Sequence, residues 1–166
     1  MPAPLAPVTR YIHPQQARVY WLTEVADVNA VTRAEIEDST SVDLTAEIAD
    51  APGWGVSANR VPVPDLGSRF TSRIAGRIDP EDAQLVFYAS ADTEDVRTLY
   101  SLGDRGFILI AHGGDVAGQA CDVYPVEVVA ISKPLSVSGD PAQITVDFAQ
   151  TAVPGQDVTI PAIPSP

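Results

Sequence analysis

Few side chains in this sequence can do acid–base or nucleophilic chemistry near neutral pH: His13, His112 and Cys121, set among twenty-two acids. His112-Gly113-Gly114 has the composition of a glycine-rich oxyanion loop, but no G-x-S-x-G turn supplies a nucleophile to it. Two glycines between strand candidates read instead as a hairpin turn. Cys121 with His112 would make a thiol nucleophile and its base. Cys121 stands among apolar residues of a strand candidate, which is the setting of a small core residue. His13 lies among prolines and reads as a solvated loop residue. One cysteine and two distant histidines lack the ligand spacing of a zinc site. Asp92, Glu94 and Asp95 are accounted for by a helix N-terminus, and Glu35, Glu37 and Asp38 do not follow a calcium-loop pattern. Neither a P-loop nor a G-x-G-x-x-G turn is present. The expectation is a protein that is not an enzyme, with no catalytic residue, no cofactor and no metal.

Composition bounds the rest. At 166 residues the chain fits one domain with a sizeable core. With 45% hydrophobic and 19% charged residues it is too apolar for a disordered chain. Its fifteen prolines, roughly twice the usual share, gather at the two ends and in the middle. The formal net charge is −12, which opposes nucleic-acid binding by charge attraction. Between Glu24 and Asp50 stand eight acids and a single base, Arg33. A lone cysteine forms no internal disulfide. The N-terminus lacks the basic and apolar segments of a signal peptide, and no apolar run reaches the ~20 residues that span a bilayer. Synthesis in the cytoplasm and no membrane partner are expected.

The elements that would position these residues are mostly strands. Residues 1–17 hold four prolines and read as an extended arm. Residues 18–24 alternate as a first strand. Thr32-Arg33-Ala34-Glu35 fits a capping box opening a single helical turn, and residues 42–48 suggest a short strand. Residues 51–68 carry three prolines and three glycines and read as a long irregular loop, with Val56 and Val61 at most in a loose ribbon. Residues 69–78 place Phe70, Ile74 and Ile78 on one side and Thr71, Arg73 and Arg77 on the other. Further strands are expected at 84–89, 106–111, 119–131 and 142–149, with one helix at 92–102, capped by Asp92 and ended by Gly103. The residues from 153 onward read as a short proline-rich tail. Long amphipathic strands joined by turns make an antiparallel β-sandwich or barrel with one flanking α-helix.

Over residues 18 to 150 the order and spacing of these pieces resemble the tail tube (major tail) proteins of long-tailed bacteriophages, in the form common in phages of actinobacteria. The residues carrying it are Val19-Tyr20-Trp21-Leu22 with Val25 and Asn29; Thr32-Arg33-Ala34-Glu35-Ile36 followed by Asp43-Leu44-Thr45; Ser68-Arg69-Phe70 through Ile74-Ala75-Gly76; Leu85-Val86-Phe87-Tyr88; Gly103 and Gly106; Asp122-Val123-Tyr124-Pro125-Val126-Glu127-Val128; and Ala142-Gln143-Ile144-Thr145-Val146-Asp147-Phe148-Ala149. The resemblance implies a structural subunit of the virion tail. Six copies would form a ring, each lending strands to a shared inner β-barrel, and rings would stack into a tube through which DNA passes unbound. Tail terminator, tape measure and baseplate proteins are the further partners it implies.

Within that scheme Asp122, Gln143, Thr145 and Asp147, on polar strand faces, are candidates for an acidic lumen. Arg69, Arg73, Arg77, Trp54 and Tyr11 are candidates for contacts between subunits, the arginines facing the acidic 24–50 stretch of a neighbour. Two competing readings are a monomeric small-ligand-binding β-barrel and a hydrolase built on clustered carboxylates.

Overall fold

The computed structural model describes residues 8–92, 95–137 and 139–163. Residues 1–7 of the expected arm, Glu94 of the expected helix start and residues 164–166 of the tail lie outside them. The fold is mostly β, with antiparallel strand pairs. Along the chain come β1 (Arg18–Leu22), α1 (Arg33–Ile36), β2 (Val42–Asp43), β3 (Ile48–Asp50), β4 (Val56–Val63), β5 (Ser72–Pro80), β6 (Ala83–Tyr88), α2 (Val96–Leu99), β7 (Arg105–Ala111), β8 (Ala120–Ser132), β9 (Gln143–Gln150) and β10 (Gly155–Thr159). They divide into two compact units. The first holds residues up to 46, 106–124 and from 154; the second holds 47–105 and 125–153.

In the first unit β1 pairs with β2 on one side and with β7 on the other, from Arg18↔Ala111 to Leu22↔Phe107. The start of β8 pairs with β10 through Val158↔Cys121. Leu22, Ile36, Leu109, Cys121, Val123 and Val158 form the core between them. Close approach is enforced at Gly106, where an added Cβ would lie 2.4 Å from the Trp21 ring. The capping box forms as the spacing predicts: Thr32 Oγ1 accepts from the Glu35 amide, and the Glu35 carboxylate accepts from the Thr32 amide at 2.7 Å.

Arg33, on α1, is the one buried charged residue among those described, 6% exposed. Its two terminal nitrogens grip the Asp115 carboxylate at 2.8 and 2.9 Å, and one also donates to the Pro161 carbonyl at 3.2 Å. Tyr20 Oη donates to the same carboxylate at 3.3 Å. Burial, then the Asp115 charge, pushes the Tyr20 phenol up to about 12. One carboxylate thereby ties α1, β1 and the C-terminal segment to the turn after β7.

In the second unit β6 and β9 pair in full register, Leu85↔Val146 and Phe87↔Ile144 among them. Ala83, Leu85, Phe87, Ile144, Val146 and Phe148 are buried on one face, as period-2 alternation requires. β9 pairs also with the end of β8, and β6 with β3. Tyr100 packs edge-on against Phe148 at 5.6 Å, and Trp54 lies 5.9 Å from the same ring.

Four sequence expectations are corrected. The helix expected at 92–102 is the single turn α2, capped by Asp95, whose side chain accepts from the Arg97 amide. Tyr100 is already extended. Gly103 N donates to Val128 O and Val128 N to Asp104 O, so pairing with β8 takes the backbone that a longer helix would need. The strand expected at 42–48 is two short strands divided by a turn, β2 and β3. The irregular 51–68 loop contains the eight-residue strand β4. Its Pro62 is tolerated because β4 has one partner, so one edge needs no amide donor. The tail carries β10, with Val158 and Ile160 buried.

Removing the Asp115 carboxylate leaves the Arg33 guanidinium buried without its anion. Asp115→Ala is expected to cost about 3 kcal/mol, and Arg33→Met in the same chain to restore most of it; urea unfolding measures both. Asp95 is held well below the usual carboxylate range, chiefly by the Arg97 guanidinium that bonds it. A depressed folded-state pKa means that this stabilisation is complete above the unfolded carboxylate range near pH 4 and is lost as pH falls below it. Unfolding midpoints between pH 4.5 and 2.5 should therefore fall more steeply for the wild type than for Asp95→Asn; equal slopes would remove Asp95 from the account.

Candidate functional site

The groups able to do chemistry are engaged structurally. Cys121 is fully buried in the first unit's core, and burial followed by the charges of Asp122 and Asp115 pushes its thiol up to about 11, away from the reactive thiolate. His112 Nε2 meets Asp122 Oδ2 at 3.0 Å. The Gly114 amide donates to the Ala111 carbonyl, at φ +95°, so it serves a turn and not an oxyanion. Asp95 bonds Arg97, Asp92 accepts from Ser90 Oγ, and Asp38 accepts from the Thr40 amide. Among the described residues no group of three or more His, Cys, Asp and Glu is placed to hold a metal ion, and no helix is long and apolar enough to cross a membrane.

The surface of the second unit is more informative. β4 and β5 pair only with each other, as a two-stranded ribbon. Their register puts Val61↔Ile74 and Val63↔Ser72 on one face and Ala58↔Ile78, Arg60↔Ala75 and Pro62↔Arg73 on the other; one extra residue in β5, between Ile78 and Ala75, makes a bulge that shifts Ile78 to the face opposite Ile74. Val61 reaches over Gly76 at that bulge. Each face thus mixes apolar residues with polar or basic ones. Neither face is covered: Ile74 is 58% and Ile78 67% exposed, and Leu66 and Phe70 in the connecting turn stand out further. Residues 56–80 carry four of the nine arginines against two aspartates, in a chain that is otherwise strongly acidic.

The candidate residues named from sequence fall as follows. Arg73 pairs with Pro62 on the ribbon, Arg77 lies at the β5 bulge, and Arg69 lies in the connecting turn. Tyr11 is exposed, its ring edge-on to His13 at 5.7 Å. Trp54 is half-buried in its own unit, its Nε1 donating to the Gln84 carbonyl at 3.1 Å. Gln143, Thr145 and Asp147 alternate with the buried positions of β9 and share a face with Tyr88, Val86 and Gln84 of β6, their register partners. Asp122, in the first unit, is committed to local bonds: beside His112 it accepts from the Asp157 amide at 2.9 Å and from Tyr124 Oη at 3.4 Å. Burial, then the Asp122 charge, pushes the Tyr124 phenol up to about 12.

Sequence reasoning missed Arg60, Val63 and Leu66 as part of this surface. The apolar residues of Val56-Ser57-Ala58-Asn59-Arg60-Val61-Pro62-Val63 change phase between Ala58 and Val61, and prolines and neighbouring glycines obscure them further.

Comparison with known proteins adds the family. Residues 7–163 match the family described as phage tail tube protein. No curated protein matches the sequence. Three solved structures share the fold at low identity. A chain of the PVC extracellular contractile injection system, from the cryo-EM structure of its sheath/tube terminator in the extended state, is 11% identical, with a TM-score of 0.59 over 86% of this chain and 94% of that one. A chain of the anti-feeding prophage baseplate, solved with six-fold symmetrisation, is 10% identical, with a TM-score of 0.59 over 89% and 95%. A chain from the tube-terminating cap of the anti-feeding prophage is 11% identical, with a TM-score of 0.54 over 86% and 89%. With the family match spanning nearly all of the chain and the mostly-β fold in agreement, the chain belongs to the phage tail tube protein family and is a tail-tube-related structural protein.

Proposed function

We propose that this chain is a repeating subunit that assembles with sister copies into six-membered rings stacked as a tail tube, through which the genome passes. It is made in the host cytoplasm and works in the virion. The observation that carries the reading is the naked ribbon. A two-stranded hairpin is marginal in water by itself, and this one exposes apolar side chains on both of its faces. Exposed apolar patches of this kind mark interaction sites. Covering by a neighbouring copy satisfies the ribbon, and the acids at 24–50 of that neighbour meet Arg69, Arg73 and Arg77. The six-fold symmetrisation of the anti-feeding prophage baseplate supports the ring size.

The face of Gln143, Thr145 and Asp147 is the proposed lumen lining. Gln143, Thr145 and Asp147 with their partners Tyr88, Val86 and Gln84 present no cationic side chain to hold phosphates, and the carboxylate repels them. Asp122 is a weaker lumen candidate because its carboxylate is already occupied. Tyr11 remains a candidate for contacts between subunits, and Trp54 would act there only through its exposed edge. The solved relatives named terminator and cap favour a second reading, a single ring that closes the end of a tube. Tape measure and baseplate proteins are the further partners under either reading.

Negative-stain microscopy with light scattering on concentrated protein separates these readings. Tubes of indefinite length are expected; uniform single rings favour the terminator, and a stable monomer at millimolar concentration would sink both. The ribbon's part is tested by Arg69→Glu, Arg73→Glu and Arg77→Glu together. The triple variant is expected to need at least tenfold higher concentration to assemble, with a melting temperature unchanged because the three side chains are exposed. Assembly at the wild-type concentration would take these arginines out of the interface.

A further inference from the structure

The only two histidines of the chain are ninety-nine positions apart in sequence yet meet ring against ring, 5.7 Å between centroids at 62°. His13 belongs to the arm. Its carbonyl accepts from the Gln16 and Ala17 amides at 3.1 and 2.9 Å, closing a turn in which Gln15 takes a left-handed φ of +74°. That conformation is unfavourable for a residue with a side chain, so docking must offset it. The turn docks on the loop after β7, where an added Cβ on Gly114 would lie 3.0 Å from the Gln16 carbonyl oxygen. His112, in that loop, faces Asp122 of β8 at 3.0 Å and is 42% exposed at its side chain.

We propose that the histidine pair is a pH-sensitive latch for the arm at residues 8–17, closed when the rings are neutral and opened by mild acid. Histidine is the side chain that gains charge between pH 8 and 5. Among the described residues Asp122 is the one carboxylate bonded to the His112 ring. Its second oxygen accepts from the Asp157 amide, and Tyr124 Oη shares the first, so it is fixed on the β8 side and not between the rings. From the arm His112 faces His13, with Tyr11 behind it. Charge on both rings places two cations 5.7 Å apart, edge-on, with no anion bonded to His13 among the described residues. The arm has little else to hold it: Val8, Tyr11 and Ile12 are more than half exposed. The arm therefore changes its availability to other chains with pH, and this holds in a monomer, whatever the assembly.

The test is amide hydrogen exchange on the full chain at pH 7.5 and 5.5, a window in which carboxylates stay ionised. Protection factors are compared at Gln16 and Ala17, whose amides report the turn. A loss of at least threefold in protection at pH 5.5 is expected, with the amides of β6 and β9 unaffected. His13→Phe and His112→Phe keep a ring without its charge, and each is expected to abolish the pH dependence. Wild-type protection equal at the two pH values would overturn the latch, as would an equal acid-induced loss in both variants.

Discussion

A two-stranded ribbon cannot bury its own side chains, and the reading of this molecule turns on that constraint. Val61, Val63 and Ile74 lie on one face of β4 and β5, Ala58 and Ile78 on the other. In a sheet of three or more strands, or beneath a helix, such side chains would be core. Here they face water while Leu66 and Phe70 crown the turn. Burial of apolar surface stabilises by roughly 25 cal/mol per Å², so a face left open in one copy is free energy available to an assembly. Long, flat, exposed strand edges invite the same outcome.

The first unit follows the opposite logic. Its cohesion runs through one buried cation, Arg33, whose two-pronged bond to Asp115 draws in the Pro161 carbonyl and the Tyr20 hydroxyl. A buried ion pair contributes little net stability, but breaking it leaves a stranded charge. It therefore specifies which loops lie together. The turn after β7 is fixed from one side by Asp115 and from the other by the His112–Asp122 contact. A rigid turn is what allows a loosely held arm to find a defined docking point.

Sequence patterning marked those parts where local and tertiary demands agree. β6 and β9 alternate because one face is core, and Thr32 with Glu35 caps α1 because both partners lie within four residues. β8 is buried at both odd and even positions for a reason visible only in the fold. Odd positions Cys121 and Val123 enter the first unit's core, while even positions Val126 and Val128 are buried in the second. Its Pro125 sits where β10 pairing gives way to β9 pairing, a place with no ladder amide to lose; its carbonyl still accepts from the Thr151 amide. What sequence concealed were elements decided by distant partners. Residues 100–104 leave the helical path to pair with β8, and β4 forms despite Pro62 because it pairs along a single edge. The candidate surface was half legible: the apolar and basic residues of β5 were plain, but its bulge, which parts Ile78 from Ile74, and its partner strand were not.

Charge then decides how such a ribbon can associate. Pairing two ribbons about a two-fold axis would bury apolar side chains together, but it would also bring Arg60 and Arg73, which share a face with Ile78, near their own copies. Laying a ribbon on the body of a neighbour instead sets a basic element against an acidic one. The net charge of −12 opposes any association, yet at physiological salt the screening length is about 8 Å, so contacts feel local charge more than the total. Local complementarity thus favours ribbon on body over ribbon on ribbon. A contact between two different surfaces of one chain is heterologous: it leaves a free ribbon and a free body at the ends of every pair. Such a contact closes into a ring or continues as a helix, and those are the two geometries from which a tube is made.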